Sequence, residues 1–142
     1  MILEIDKTKI ESIKLLEKFI NSMGNSSESF RYFKSRSISA INNHLCTVLL
    51  MDNNEPIGYG HLDKEENDIW FGIAIVQGFL GSGNGTIIIQ YLINKANDLK
   101  LPEIKLSVDA NNLTAIKLYT KHGFVKNHEQ NGVFFFSRKR IQ

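Results

Sequence analysis

A glycine-rich stretch in the middle of the chain carries the clearest chemical signal in the sequence. It covers residues 77–86 (QGFLGSGNGT), after an apolar segment typical of a strand and before a segment with helical spacing. Glycines at positions 81, 83 and 85 let the backbone turn sharply and approach a phosphate without an intervening Cβ. A helix start adds unpaired N–H groups and the positive end of the helix dipole. The stretch therefore predicts an anion site that needs no lysine.

Three phosphate-binding interpretations compete at this loop. A P-loop requires Gly-Lys-Ser/Thr, but no lysine precedes Thr86. A dinucleotide-binding fingerprint requires GxGxxG after the first strand of a βαβ unit, whereas this loop reads GxGxG and follows the fourth predicted strand. The third interpretation is a site for the pyrophosphate of coenzyme A. A flexible turn that simply needs glycine is the alternative to all three, so the glycines alone leave the ligand open.

The hydropathy pattern predicts the elements that position this loop. Strands are predicted over 1–5, 47–51, 56–63, 69–76 and 104–108, and a final hairpin pairs 124–126 with 133–137. Helices are predicted over 9–20, 29–36, 87–99 and 112–122. The third of these competes with the strand propensity of residues 87–89, but Ile88, Leu92, Ala96 and Leu99 recur at helical spacing. The resulting order predicts a mixed α+β sheet with helices on both faces, and 69–76 as its central strand.

Residues at the ends of these segments support their boundaries. Thr8 and Glu11 have the spacing of a capping box at the first helix. Asn112 is placed to be the N-cap of the last helix. Gly123 stands where a left-handed residue commonly ends a helix.

The second half of the chain resembles the GCN5-related N-acetyltransferase (GNAT) superfamily. That family's loop reads Arg/Gln-x-x-Gly-x-Gly/Ala at the end of a central strand, and here it reads LGSGNG from Leu80 to Gly85. The family then shows Asn, Ala, Tyr and Gly-Phe in order, which correspond here to Asn112, Ala115, Tyr119, Gly123 and Phe124. Leu80 departs from the family's Arg or Gln. We expect backbone donors to carry most of the grip, with Lys117 or Lys121 as replacements. A degenerate loop that no longer binds is the alternative.

The resemblance implies a single N-acetyltransferase domain over 1–142, with a mostly antiparallel sheet of about seven strands and about four helices. It implies transfer of acetyl from acetyl-CoA to a primary amine of a small molecule, without a metal. Acceptors of another kind, a protein N-terminus or lysine, stay open, as does a non-catalytic sensor of acyl-CoA.

The resemblance also assigns roles to residues on the donor side. Tyr119 is expected to protonate the departing thiolate, because a phenol is protonated at neutral pH. Asn112 is expected to contact the pantetheine arm. Backbone groups of Ala74, Ile75 and Val76 are expected to pair with pantetheine, with the N–H of Ile75 or Val76 serving the oxyanion. The residues expected to hold the pyrophosphate are Gly81, Ser82, Gly83, Asn84, Gly85 and Thr86.

The candidate base lies on the strand before the central one. His61 and Asp63 share a face there, because strand side chains alternate with period two. An imidazole accepts a proton near neutral pH, so we assign the base to His61, with His44 and a water relay as alternatives. Aromatic rings and guanidinium groups at 30–36, among them Arg36, suit an amino sugar linked to a nucleotide. The residues predicted to contact the acceptor are Arg31, Tyr32, Phe33, Asp63 and Trp70.

Composition limits the remaining possibilities. The chain has 142 residues, a net charge of +2 and one cysteine, Cys46, with no Cys/His cluster at zinc spacing. This charge gives no argument for a nucleic-acid partner, and no apolar stretch is long enough to span a bilayer. The polar start predicts no signal peptide, so we expect a cytoplasmic protein. The last strand, residues 133–136, is apolar on both faces and predicted near an edge, which favours a homodimer.

Overall fold

A computed structural model describes residues 1–23, 32–34 and 36–140. The strands are β1 (Ile2–Glu4), β2 (His44–Asp52), β3 (Glu55–Glu65), β4 (Asp68–Ile75), β5 (Glu103–Asp109), β6 (Val125–Gln130) and β7 (Val133–Lys139). The α-helices in the described part are α1 (Ile10–Asn21), α2 (Asn84–Asp98) and α3 (Leu113–Lys121). Short 3-10 helices cover Tyr32–Lys34, Ile38–Asn43 and Gln77–Phe79. The helix predicted over 29–36 is seen only as the first of these, and residues 29–31 and 35 lie outside the described part.

All seven strands form one sheet in the order β1-β2-β3-β4-β5-β7-β6, which places β4 in the middle as predicted. Every neighbouring pair is antiparallel except β4 and β5. On one side β4 pairs with β3 from Asp68 to Ile75, but on the other side its only register pair with β5 joins Trp70 to Lys105. The two parallel strands therefore part after Trp70, and an opening forms beside the carboxyl half of β4.

Each face of the sheet is covered by a separate apolar core, which confirms the mixed α+β class with helices on both faces. One core includes Ile88 and Leu92 of α2 and Tyr119 of α3, so we name this side the α2 face. The other includes Leu16 and Phe19 of α1 packed on Tyr59 of β3, and we name it the α1 face. Burial of this apolar area is the main force that holds the helices to the sheet.

The first two helices confirm one sequence prediction and correct another. The Thr8–Glu11 capping box is wrong: the N-cap is Lys9, without a side-chain hydrogen bond. Thr8 instead donates from its amide and its hydroxyl to the carboxylate of Asp6, in a local turn that competes with capping. The helix predicted over 87–99 is confirmed as α2, which begins earlier, at Asn84, because burial of Ile88 and Leu92 outweighs the strand propensity of the isoleucine run.

The C-terminal elements confirm two end residues and correct one inference. The Asn112 side chain caps α3 by accepting from the Ala115 amide at 3.2 Å, and Gly123 is left-handed at φ +88°. The last strand, β7, is paired on both sides, to β5 and to β6, so it offers no open edge. The edge strand at this end of the sheet is β6, whose residues are all exposed. The apolar character of β7 on both faces reflects this interior position, and the edge argument for a homodimer fails.

Candidate active site

The loop between β4 and α2 has the backbone geometry expected of an anion site. Gly81 and Gly83 both have φ +80°, a left-handed conformation that favours glycine, and Gly83 is the N-cap of α2. A Cβ built on either glycine meets no atom within 4 Å. These two glycines are therefore needed for their backbone conformation, and the space beside them is open to a ligand.

Two further residues fix the loop against the helices. The Asn84 side chain donates to the Phe79 carbonyl at 2.9 Å, which ties the first turn of α2 back to the loop. A Cβ on Gly85 would stand 3.0 Å from Leu118 Cδ2, so this glycine lets α2 start close to α3.

Leu80 points to solvent and is 59% exposed. Ser82 and Thr86 lie in this loop and first turn, exposed and half-buried respectively.

The amides of β4 divide between the sheet and the opening. Val76 N–H donates to the Ile57 carbonyl at 2.8 Å. Because the amides of alternate residues in a strand point to the same side, the amide of Ala74 also faces β3. The Ile75 N–H faces the opposite edge, where β5 has parted from β4. Of the two amides considered for the oxyanion, Val76 is thus engaged within the sheet, and Ile75 has the required orientation.

Tyr119 lies against β4 on the α2 face. Its ring packs edge-on against Phe71 of β4 at 5.9 Å and against Phe124 at 5.8 Å between centroids. Only 7% of the residue is exposed, and burial raises the pKa of its phenol, so the hydroxyl is protonated at neutral pH. Within the described residues this buried hydroxyl has no hydrogen-bond partner. A buried donor without a partner is uncommon, and it fits a group that meets a ligand.

On the α1 face, six polar side chains form a compact group that we name the polar cluster. Its members come from the first 3-10 helix, from β2 and from β3, and they are Tyr32, His44, Thr47, Tyr59, His61 and Asp63. Side chains alternate between the two faces along β3, so Tyr59, His61 and Asp63 share one face, as predicted for the last two. Tyr59 and Thr47 were missed, although Tyr59 follows the same period of two.

Four members of the cluster form a directed hydrogen-bond chain. The Tyr32 hydroxyl donates its single hydrogen to Asp63 Oδ2 at 2.9 Å. His44 Nε2, 2.8 Å from that hydroxyl oxygen, must therefore donate to it. His44 Nδ1 is then left to accept from the Thr47 hydroxyl at 2.8 Å. The chain assigns a neutral Nε2–H imidazole to His44.

Burial keeps both histidines of the cluster neutral. For His44, which is 3% exposed, burial lowers the pKa to about 4, although Asp63 opposes this shift. For His61, burial first and then His44 and Arg36 lower the pKa well below its ordinary value. His61 Nδ1 lies 2.6 Å from the Tyr59 hydroxyl. His61 is thus an uncharged imidazole in the folded protein, and the burial that keeps it neutral also opposes its protonation.

The other residues predicted to contact an acceptor lie around this cluster. Phe33 packs edge-on against Tyr32 at 4.8 Å and against Tyr59 at 5.6 Å. Trp70 is half-buried at the point where β4 and β5 part. Arg31 lies outside the described residues.

A surface pocket of about 270 Å³ opens beside the cluster. Arg36 lies at its wall, with its guanidinium carbon 4.3 Å from the centre of the Tyr32 ring and Nη1 donating to the Tyr32 carbonyl at 3.2 Å. The same guanidinium is 3.7 Å from the Glu65 carboxylate. The pocket is lined by Glu17, Ile20, Asn21, Phe33, Arg36 and Ile38. It offers a cation, an anion and apolar walls to a small polar molecule.

The described residues contain no group of three or more His, Cys, Asp and Glu side chains that could hold a metal ion. Among the described helices, none is long and apolar enough to cross a membrane.

Comparison with known proteins gives both a family and a fold. The family described as the acetyltransferase (GNAT) family matches residues 10–124. The PaiA N-acetyltransferase from Thermoplasma acidophilum, solved with coenzyme A, superposes with a TM-score of 0.74 at 16% identity, over 99% of both chains. The ribosomal-protein-S18-alanine N-acetyltransferase from Escherichia coli gives 0.73 at 16% identity, over 98% of this chain and 92% of that one.

A third structure was solved with acetyl coenzyme A. It is a streptothricin acetyltransferase, so described, from Bacillus anthracis, with a TM-score of 0.66 at 22% identity, over 78% of this chain and 72% of that one. No curated protein matches in sequence. At these identities the solved structures establish the fold, a mostly antiparallel seven-stranded sheet with helices on both faces.

Proposed function

Because the chain belongs to the acetyltransferase (GNAT) family, we propose that it transfers acetyl from acetyl-CoA to a primary amine of a small molecule. The observation that carries the proposal is the opening beside β4. A glycine-bounded helix start lies at its end, and the buried hydroxyl of Tyr119, which has no partner among the described residues, lies on one face of β4. These features supply a site for a phosphate and a proton for a leaving group.

The donor is held mostly by the backbone. The amides at the start of α2, with Gly81 and Gly83 left-handed before them, bind the pyrophosphate without a basic side chain in the loop. This arrangement explains how Leu80 is tolerated where relatives of the family have Arg or Gln. Ile75 faces the pantetheine arm from β4, and Asn112 contacts it from the start of α3.

The reaction requires that one proton is removed from the attacking amine and that one proton is supplied to the departing thiolate. The neutral amine attacks the thioester carbonyl, and the oxyanion that develops accepts from the Ile75 N–H. His61 takes the proton that the attacking nitrogen loses. When the C–S bond breaks, Tyr119 gives its proton to the thiolate, so the products are an amide and the free thiol of coenzyme A. The imidazolium and the phenolate that remain are restored by proton exchange with solvent.

For the acceptor we propose an amino sugar, including one linked to a nucleotide. The support is the pocket beside the polar cluster, where the Arg36 guanidinium stacks on Tyr32 and borders apolar walls. Asp63 and Trp70 then contact the acceptor from β3 and β4. An acceptor on a protein, at an N-terminus or a lysine, remains the alternative within the family. A cytoplasmic location and a homodimer stay proposals.

Thiol release tests the proposed function. The protein is mixed with acetyl-CoA and a panel of amines that contains amino sugars, nucleotide-linked amino sugars and short peptides. We expect release above background with an amino sugar, and micromolar to millimolar binding of acetyl-CoA by calorimetry. Thiol release with peptides only would indicate that the acceptor is a protein. Binding without release by any amine would indicate a sensor, and absence of both would refute the proposal.

A further inference from the structure

The side chain of His61 on β3 fills the space where a residue other than glycine at position 72 of β4 would carry its side chain. The antiparallel register pairs them directly, with both side-chain positions on the α1 face. A Cβ built on Gly72 would stand 2.4 Å from His61 Nε2 and 2.6 Å from Cε1. Real Cβ atoms essentially never come that close to another heavy atom. The imidazole therefore fills the volume that any other residue at position 72 would use.

This ring lies at the start of the opening. Gly72 is two residues after Trp70, the last residue of β4 in register with β5. The imidazole thus covers the β4 backbone where the neighbouring strand departs. On its other side, Nδ1 is held 2.6 Å from the hydroxyl of Tyr59, so Nε2 is directed toward β4. Tyr59 is itself fully buried and stacks on Phe19, which keeps that hydroxyl in place.

The other two glycines of these strands that pack closely serve a different purpose. Cβ atoms on Gly58 and Gly60 would meet Ile88 at 2.7 and 2.6 Å, and Gly60 would also meet Leu92 at 2.7 Å. Both belong to β3 and face α2, so they let the helix approach the sheet. Gly72 faces the opposite side, where the atom that takes its space belongs to a titratable ring and not to an aliphatic core residue.

We propose that Gly72 is a positioning residue for the base: its missing side chain lets His61 lie against β4 at the opening. This inference rests on the proposed function, and it adds a specific requirement to it. Any side chain at position 72 must displace the ring from the opening or break its contact with Tyr59. Gly72→Ala is therefore expected to impair catalysis through His61, without touching the donor-binding loop.

A double-mutant cycle tests the proposal, with wild type, Gly72→Ala, His61→Ala and the double variant. We expect Gly72→Ala to lower kcat by about 10- to 100-fold, a part of the roughly 100- to 10,000-fold that a positioned base contributes. The affinity for acetyl-CoA, measured by calorimetry, should stay within about threefold. In the His61→Ala background, Gly72→Ala should cost no further activity. It should also cost no thermal stability there, because the clashing ring is gone.

Gly60→Ala is the matched control, with a comparable clash on the opposite face. It should lower the melting temperature while leaving kcat near wild type. If Gly72→Ala does not fold, Tyr59→Phe replaces it: losing the hydroxyl that holds Nδ1 should lower kcat without adding bulk. An NMR spectrum of the His61 ring nitrogens should change in both variants.

Three results would overturn the inference. Wild-type kcat in folded Gly72→Ala, or in Tyr59→Phe, shows that the ring position is irrelevant. An equal loss of activity from Gly72→Ala with and without His61 shows that the effect does not pass through the imidazole. Wild-type turnover in His61→Ala shows that His61 is not the base. In that case acetyl-CoA binding and thiol release still support the proposed function.

Discussion

The Tyr32 hydroxyl donates a hydrogen bond to Asp63 Oδ2 at 2.9 Å, and so ties a short 3-10 helix to the carboxyl half of β3. Asp63 is only 3% exposed, so its carboxylate depends on partners within the protein. The same hydroxyl accepts from His44 Nε2 at 2.8 Å. Tyr32 therefore joins Asp63 to His44, and it does so from the 3-10 helix that also contributes Phe33 to the wall of the surface pocket.

Removal of this hydroxyl should destabilise the protein measurably. Tyr32→Phe leaves the buried carboxylate without its donor and His44 Nε2–H without its acceptor. We expect the free energy of unfolding to fall by about 1–3 kcal/mol, the usual penalty for an unsatisfied buried polar group. Urea unfolding followed by circular dichroism measures it.

Tyr91→Phe is the matched control for that measurement. Its hydroxyl also donates to a carboxylate, that of Glu4, but in an exposed position. Water replaces the lost partner there, so the loss should be below about 1 kcal/mol. Equal losses in the two variants would contradict the role assigned to burial at Asp63.

Stability should fall on mild acidification because of His44. Its pKa is about 4 in the folded protein against an ordinary value of 6.5, so the unfolded chain binds more protons between these values. The contribution is fully present above pH 6.5 and is lost as the pH falls toward 4, up to about 3 kcal/mol. His61 changes stability in the same direction. Urea unfolding at a series of pH values and constant ionic strength gives the slope.

Two variants assign this slope to the imidazole. His44→Gln removes the titrating group and should flatten the dependence between pH 6.5 and 4. Thr47→Val removes only the hydroxyl that donates to His44 Nδ1, so it should lower stability while the slope persists. A slope that is unchanged in His44→Gln would show that other groups cause the acid sensitivity.

The histidine pair also shows where reasoning from sequence reached its limit. Period-two alternation correctly put His61 and Asp63 on one face of β3. The same rule fails for His44 and Thr47, which are three positions apart yet hydrogen-bonded on one face. The reason is a register shift between His44 and Cys46, which turns the start of β2. Such a bulge depends on the pairing of β2 with β3, so no local pattern predicts it.

The order of the strands in the sheet is the second feature that the sequence did not predict. The apolar run in the last strand is a strand as predicted, but the edge that was expected beside it to pair with a second subunit is not formed by this strand. In the sheet, β7 inserts between β5 and β6 and needs two covered faces. Chain order alone does not decide which earlier strand a C-terminal hairpin joins. The ends of α3 at Asn112 and Gly123 were predictable from residues adjacent in sequence, whereas the capping box at Thr8 and Glu11 failed because Thr8 bonds to Asp6 instead.

Tyr119→Phe should separate catalysis from donor binding. The hydroxyl is buried and has no partner among the described residues, so its loss should leave the fold and the affinity for acetyl-CoA unchanged. We expect kcat to fall by about 100-fold, within the range of general acid catalysis. Thiol release and calorimetry on the same preparation measure the two quantities. Undiminished kcat would assign protonation of the thiolate to water or to another group.

The loop glycines should be required for conformation and not for space. Gly81→Ala and Gly83→Ala place a Cβ in open surroundings but at φ +80°, which costs about 1–2 kcal/mol for an L-residue. The loop can escape this strain by moving, and then the amides at the start of α2 lose their alignment. We therefore expect each variant to weaken acetyl-CoA binding by about 10-fold or more, measured by calorimetry.

Gly78→Ala provides the control within the same loop. A Cβ there also meets nothing within 4 Å, but the backbone is not left-handed, so the substitution adds a methyl group without strain. Its affinity for acetyl-CoA should match that of the wild type. Equal weakening by all three substitutions would indicate that the added methyl itself obstructs the ligand. Unchanged affinity in Gly81→Ala and Gly83→Ala would mean that the pyrophosphate is held elsewhere, because the strained positions are the ones that set the direction of the amides.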